Sequence, residues 1–302
     1  MVLAPGLTYF DLKFLGRPKA IATVVLSSAG EVALVDPGPT SCLERLEEGL
    51  HAEGIALRDV THLVLTHIHL DHAGATGTIV RRHPQVQVFV HERGAKHLID
   101  PAKLLDSATR LYGADMDRLW GEFLAVPASN VRALTGGERI AVAGRTYDVA
   151  YTPGHASHHV SYFDASSGVA FVGDTAGVCI DGGYIVPPTP PPDIDPDQWA
   201  ASARLIEAWQ PRTLFLTHFG PNTLPPTTHL RTLIDNLQTT LAIARTTLAE
   251  EWAEEDRPKR FAEALTRELR RVMTDDQIAS YGIAAPFESL WLGLARYLRK
   301  RA

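Results

Sequence analysis

Short apolar runs broken by turns fill the first part of the chain. "AIATVVLSS" (20–28) and "EVALVDPG" (31–38) have strand length and composition, and the turn at Ala29-Gly30 between them predicts a hairpin. "HLVLT" (62–66) reads as a buried strand, "GATGTIVRRH" as a helix, and "VQVFVHE" (86–92) as the next strand. The period then changes. In "PAKLLDSATRLYG" the residues Leu104, Leu105, Ala108, Leu111 and Tyr112 recur at helical spacing, and in "ADMDRLWGEFLA" Met116, Leu119, Trp120 and Phe123 do the same. Gly113 separates the two predicted helices, which read either as a helical hairpin completing the core or as a lid over a site.

Strand patterns resume in "ERIAVAG", "RTYDVAYTPG", "HVSYFDA" and "GVAFVGD", a second β-rich run laid out like the first. Six prolines in 187–197 then rule out helix. That segment ends in a helix start, with Asp195 as N-cap, Pro196 in the first turn and Gln198 three residues after the cap. A helix through "QWAASARLIEAW" and a strand "TLFLTH" (213–218) follow. Beyond Pro226 the pattern is helical. Leu230, Leu233, Ile234, Leu237, Leu241, Ala244 and Leu248 form one stripe, and Phe287, Leu290, Trp291, Leu294 and Leu298 another. The expected division is therefore 1–225, with a helical insertion at 101–128, and a helical region 226–302 packed on the first part or on a partner subunit, as in a homodimer. The basic "RYLRKR" near the end suits a helix C-terminus, where cations offset the dipole.

Composition narrows the picture modestly. With 45% hydrophobic and 21% charged residues the chain can bury a sizeable core, and a net charge of −6 gives no reason to expect a nucleic-acid partner. Cys42 and Cys179 form no metal-type pair and are read as reduced thiols. No signal-peptide pattern and no membrane-length apolar run is seen, so a cytoplasmic protein is expected.

The chemistry concentrates in "THIHLDHAG" (66–74), where His67, His69, Asp71 and His72 crowd together in a chain with 13 histidines. Histidines at i and i+2 leaving a strand can point the same way, while Asp71 and His72, at the bend into a helix, can face a second point nearby. Two ligands for each of two ions leave both sites incomplete, because a catalytic zinc usually takes three protein ligands. More ligand-type residues are thus required at later strand ends. His155 in "YTPGHAS", Asp174 in "FVGDTAG" and His218 in "LFLTHFG" meet that requirement. His51, His62, His83, His91, His97 and His229 have no such partners and read as surface or packing residues; His158 and His159 read as structural or as pocket groups.

His67-x-His69-x-Asp71-His72 with Gly154-His155, Gly173-Asp174 and Thr217-His218 resembles the metallo-β-lactamase-fold hydrolases, over roughly residues 8–225. The resemblance implies an α/β fold, a four-layer αββα sandwich, here with a C-terminal helical extension. It assigns His67, His69 and His155 to a first metal and Asp71, His72 and His218 to a second, with Asp174 bridging. It places Asp36 of "LVDPG" behind the ligand loop, although a plain turn carboxylate accounts for that residue equally. The ions it implies are two divalent metals, zinc first, with iron or manganese also suited to these ligands.

On that resemblance the expected reaction is attack on a small ester, thioester or lactone by a metal-bridging hydroxide, with Asp71 passing the proton to the leaving group. Asp174 and the missing signal peptide speak against antibiotic hydrolysis. The glyoxalase-II and lactonase branch shares the ligands, but glutathione-gripping basic residues are not found, and Tyr184 is a candidate counterpart of the lactonases' pocket tyrosine or a loop aromatic packing on prolines. A small-molecule substrate is expected above the metals, walled by 101–125 and 177–192, with Tyr184 and Phe219 as lining candidates. The alternatives are a mononuclear iron thiol or persulfide dioxygenase of the same fold, and a phosphodiesterase.

Overall fold

The computed structural model describes residues 1–28 and 30–301. Ala29 of the expected hairpin turn lies outside them, but the strands it joins, Ala22–Ser28 and Glu31–Val35, pair antiparallel with Val24 opposite Val35. They belong to a seven-stranded sheet in chain order: Val2–Ala4, Leu7–Asp11, Ala22–Ser28, Glu31–Val35, Val60–Val64, Gln87–His91 and Val131–Leu134. A six-stranded sheet runs in the order Gly220–Pro221, Thr213–Leu216, Val169–Phe171, Val160–Asp164, Arg145–Tyr151 and Arg139–Val142.

Period-two alternation sorts the side chains of these strands into layers. Val24, Leu26, Ala33 and Val35 share a buried cluster with Tyr147, Tyr162 and Phe171 of the second sheet. Their neighbours Val25, Leu34 and Leu63 join Leu46, Leu50 and Ile79 of the helices Leu43–Ala52 and Thr76–Arg82. On the far side, Ala170, Leu214 and Leu216 pack with Trp199 and Ile206 of the helix Pro196–Ala208. The result is the four-layer αββα sandwich expected from the sequence. The helix start at Asp195 is as expected too: its carboxylate accepts from the N–H groups of Asp197 and Gln198, both at 3.1 Å.

The helices Ala102–Tyr112 and Met116–Trp120 flank Gly113, and residues 121–127 carry no further helix. The strand expected at 62–66 instead spans Val60–Val64, so the chain has already left the ladder when it reaches Thr66.

The helices Pro226–Ala249, Arg257–Leu269, Asp275–Ala284 and Phe287–Arg299 do more than sit on an outer face. Leu233, Leu237, Phe261 and Trp291 belong to the same buried cluster as the second sheet. They also clasp the segment 176–189, which has little secondary structure of its own. His229 Nε2–H donates to the Ala176 carbonyl at 2.8 Å, and Asn236 Nδ2 to the Ile185 carbonyl at 2.8 Å. Tyr281 Oη accepts from the Ile180 N–H at 2.8 Å and lies 3.2 Å from the Ile180 carbonyl. Thr189 Oγ1 donates to the Leu290 carbonyl at 3.1 Å. Beyond the backbone pair Val178–Val186, side-chain bonds from the helices satisfy backbone groups at Ala176, Ile180 and Ile185.

Tyr281→Phe removes both Ile180 contacts and leaves a buried N–H without its partner. The expected cost is about 1–3 kcal/mol of unfolding free energy, read as a lower urea midpoint; an unchanged midpoint would show that the clasp contributes nothing to stability.

Candidate metal centre

The strand Val60–Val64 ends just before the motif, and the chain then carries His67 and His69 outward with Ile68 between them in the helix-side core. The short helix Leu70–Ala73 turns Asp71 and His72 back toward the same point. His155 follows Gly154, whose φ of 137° and close approach to Trp199 (a Cβ there would lie 2.4 Å from the Trp199 Cα) exclude a larger residue. Asp174 follows Gly173, at φ 44°, where a Cβ would lie 2.5 Å from Thr66 Oγ1. His218 leaves the end of the strand Thr213–Leu216.

All seven side chains converge. His69 Nδ1 lies 3.0 Å from His67 Nε2 and 2.9 Å from His155 Nε2. His72 Nε2 and His218 Nε2 lie 3.3 and 3.4 Å from Asp174 Oδ1, and His155 Nε2 lies 3.4 Å from Asp174 Oδ2. Asp71 Oδ2 is 3.3 Å from His218 Nε2 and 3.8 Å from His72 Nε2. Three sets of donors, His67/His69/His155, His67/His72/Asp174 and Asp71/His72/His218, each lie within 4.8 Å of one another.

The backs of the rings are held. His155 Nδ1–H donates to the Pro188 carbonyl at 2.8 Å and His218 Nδ1–H to the Ala20 carbonyl at 2.6 Å. His72 Nδ1–H donates to Asp36 Oδ2 at 2.9 Å. The same carboxylate accepts from the Thr66 N–H at 2.8 Å, from Thr66 Oγ1–H at 2.7 Å and from Thr217 Oγ1–H at 2.9 Å. Asp36 is fully buried at φ 49°, so its role is to fix the ligand segments and not merely to close a turn. Each bond on Nδ1 sets the tautomer and leaves the Nε2 lone pair facing inward.

Electrostatics divide the cluster in two. Burial, then the neighbouring His72, holds His67 well below the usual imidazole range; burial, then His155, pulls His69 down to about 3. These rings are neutral and available as ligands. Burial also disfavours charge on His72 and His218, but Asp174 and Asp71 more than reverse it and raise both above their ordinary value. Asp71 shows the converse balance: burial opposes its ionisation, yet His72 and His218 outweigh that and bring it to about 2.

Do these residues suit a metal? His72 Nε2, Asp174 Oδ1 and His218 Nε2 are buried and have no hydrogen-bond partner among the described residues. Unsatisfied buried polar atoms are costly, and three of them facing one point amid nitrogen and oxygen donors fit divalent cations.

The cluster forms one end of a cavity of about 680 Å³, with His69, Asp71, Asp174 and His218 in its lining. The helices of 101–120 form one wall, as expected, and Pro188–Asp193 another. Tyr184 and Phe219 do not line it. Tyr184 packs under the C-terminal helices, where burial and then Glu268 push its phenol up to about 12. Phe219 turns toward Tyr9, with ring centroids 6.5 Å apart, against the core between the sheets. The aromatic lining comes instead from Tyr112, Trp120 and Phe14, with Trp120 stacked on Phe14 at 5.4 Å. Gly282–Pro286, with Ser289 and Leu290, completes the enclosure, and no periodicity in the sequence signals that this turn reaches the site. His158 lines the cavity, whereas His159 is buried behind it against Thr152 and Thr175. His97, read from sequence as a surface or packing residue, is also in the lining.

Known proteins resemble this chain in sequence and fold. The profile of the metallo-beta-lactamase superfamily matches residues 16–219. A metallo-beta-lactamase fold-containing protein of Sulfurisphaera tokodaii is 28% identical over 205 residues, 66% of this chain and 73% of that one. A hydroxyacylglutathione hydrolase of a Synechococcus strain is 33% identical over 150 residues, 49% of this chain, which spans 45% of that enzyme's length. A metallo-beta-lactamase family protein of Thermus thermophilus superposes with a TM-score of 0.74 at 23% identity, covering 99% of this chain and 95% of the other.

Asp36→Ala removes the acceptor that four donors share and leaves those donors buried. We expect a loss of about 3–5 kcal/mol in stability and a roughly 10–100-fold weaker hold on zinc, measured by urea unfolding and by competition with a chromophoric chelator.

Proposed function

The chain belongs to the metallo-beta-lactamase superfamily, and we propose that it is a dinuclear metallo-hydrolase of a small ester, thioester or lactone. The observation that carries the proposal is the convergence of seven His and Asp side chains, three of their buried atoms unpartnered among the described residues, beside a cavity of about 680 Å³. His67, His69 and His155 would hold one ion and Asp71, His72 and His218 the other, with Asp174 between them. Two divalent ions there would polarise the scissile carbonyl and lower the proton affinity of a water.

The chain's own residues do the rest. Asp36 and the carbonyls of Pro188 and Ala20 hold the imidazoles in the orientation that presents Nε2. His67, His72, His155, Asp174 and His218 are buried, and a reduced local dielectric strengthens the charge interactions among them. Asp71 is the ligand-type carboxylate most open to the cavity, with its side chain 20% exposed against 5% for Asp174. We assign to Asp71 the transfer of a proton to the leaving group. Relatives named hydroxyacylglutathione hydrolases support acyl transfer to water, but the chain spans less than half of their length, and the acyl and leaving groups are not carried over.

Elemental analysis of the purified chain is expected to find about two divalent ions per molecule. Chelation should abolish ester hydrolysis, and zinc or manganese should restore it. Asp174→Ala is expected to lose at least one ion and more activity than the roughly 10–100-fold typical of outer-sphere partners. A single iron per chain together with oxygen uptake on adding a thiol would overturn this reading in favour of oxidation.

A further inference from the structure

The wall of the cavity has a composition that the donor cluster does not require. Ile68, Leu104, Ala108, Leu111, Ile283 and Leu290 line one continuous space with the donors. They come from three separate places: the motif itself, the helix Ala102–Tyr112, and the adjoining ends of the last two helices. Along Ala102–Tyr112 the residues Leu104, Ala108 and Leu111 present a stripe to the cavity, while Asp106 and Thr109 face away from it. The cationic lining groups Lys103, Arg110 and Arg118 are all exposed at the rim, and Arg118 is already held by Asp115 at 2.9 Å. The apolar part of the wall therefore offers dispersion contacts, with His97, His158 and Ser289 as polar groups beside it. Its volume of about 680 Å³ lies within the range that encloses a drug-sized ligand.

We propose that the substrate carries an extended hydrocarbon chain on its acyl side, seated between the helix Ala102–Tyr112 and the segment Ile283–Leu290. The assignment rests on the hydrolase reading for its chemistry and on the cavity wall alone for the chain. It also gives the C-terminal helices a part in substrate choice, because Ile283 and Leu290 line the same cavity as Leu104 and Ala108. The cations Lys103 and Arg110 stand only where the lining is exposed, so a carboxylate-bearing leaving group would be met at the mouth and not along the apolar residues.

The test uses the full, metal-loaded chain and has two readouts. Nitrophenyl esters from acetate to decanoate, with a hydroxyacylglutathione alongside, should show kcat/KM rising roughly fourfold per methylene until the pocket is full. Independently of turnover, n-alkanols from butanol to decanol should displace an anilinonaphthalene sulfonate dye with the same dependence on length. Ala108→Phe should move both preferences to shorter chains at an unchanged metal content; Ile283→Phe, from the opposite wall, serves if the first variant melts early. Length-dependent alkanol binding without hydrolysis of any ester would uphold the pocket and sink the hydrolase reading. Hydrolysis that gains nothing from longer chains, with alkanol affinity equally flat, would overturn the pocket and leave the hydrolase standing.

Discussion

One buried carboxylate organises the ligand-bearing ends of both sheets. Asp36 receives hydrogen bonds from Thr66 twice, from His72 and from Thr217. Thr66 and His72 belong to the first sheet's ligand loop, and Thr217 precedes His218 at the end of a strand in the second. A single side chain thus crosslinks two sheets at the level where the metals would sit. Bonds to a charged acceptor are stronger than neutral ones, and in a dry interior they are also stiffer. The positive φ of Asp36 is strain of the kind that persists only where the surroundings enforce it.

Much of this was legible in the sequence, for definite physical reasons. Period-two and helical spacing marked most of the elements because each buries one face. The strand-end placement of His155, Asp174 and His218 followed from the incompleteness of the first four donors. Asp36 remained undecided because nothing local distinguishes a turn carboxylate from one that bonds residues 30 to 181 positions away. Tyr184 and Phe219 were misplaced for a related reason: nearness in sequence to a loop or a ligand fixes the backbone and leaves the direction of the ring to packing. The contribution of Gly282–Leu290 to the cavity was invisible, since helical periodicity reports a buried face and is silent on what covers it.

The site therefore combines two unlike regimes. At one end polar atoms are crowded and rigid, with rings held from behind by a carbonyl or carboxylate. At the other, apolar side chains from the helices around 101–120 and from the C-terminal turn enclose space without directional bonds. The first regime specifies chemistry and tolerates little change. The second can be resculpted by single substitutions, which is how one donor set serves many substrates on one fold.

The clasp on segment 176–189 reaches as far as the donor cluster. The Pro188 carbonyl that orients His155 lies beside Thr189, which is anchored to Leu290, in a segment also held by Tyr281 and His229. The backing of the His155 ring therefore depends on side chains and backbone that lie 74 to 135 positions further along the sequence, so that its orientation belongs to the assembled fold and not to the motif that carries the ring.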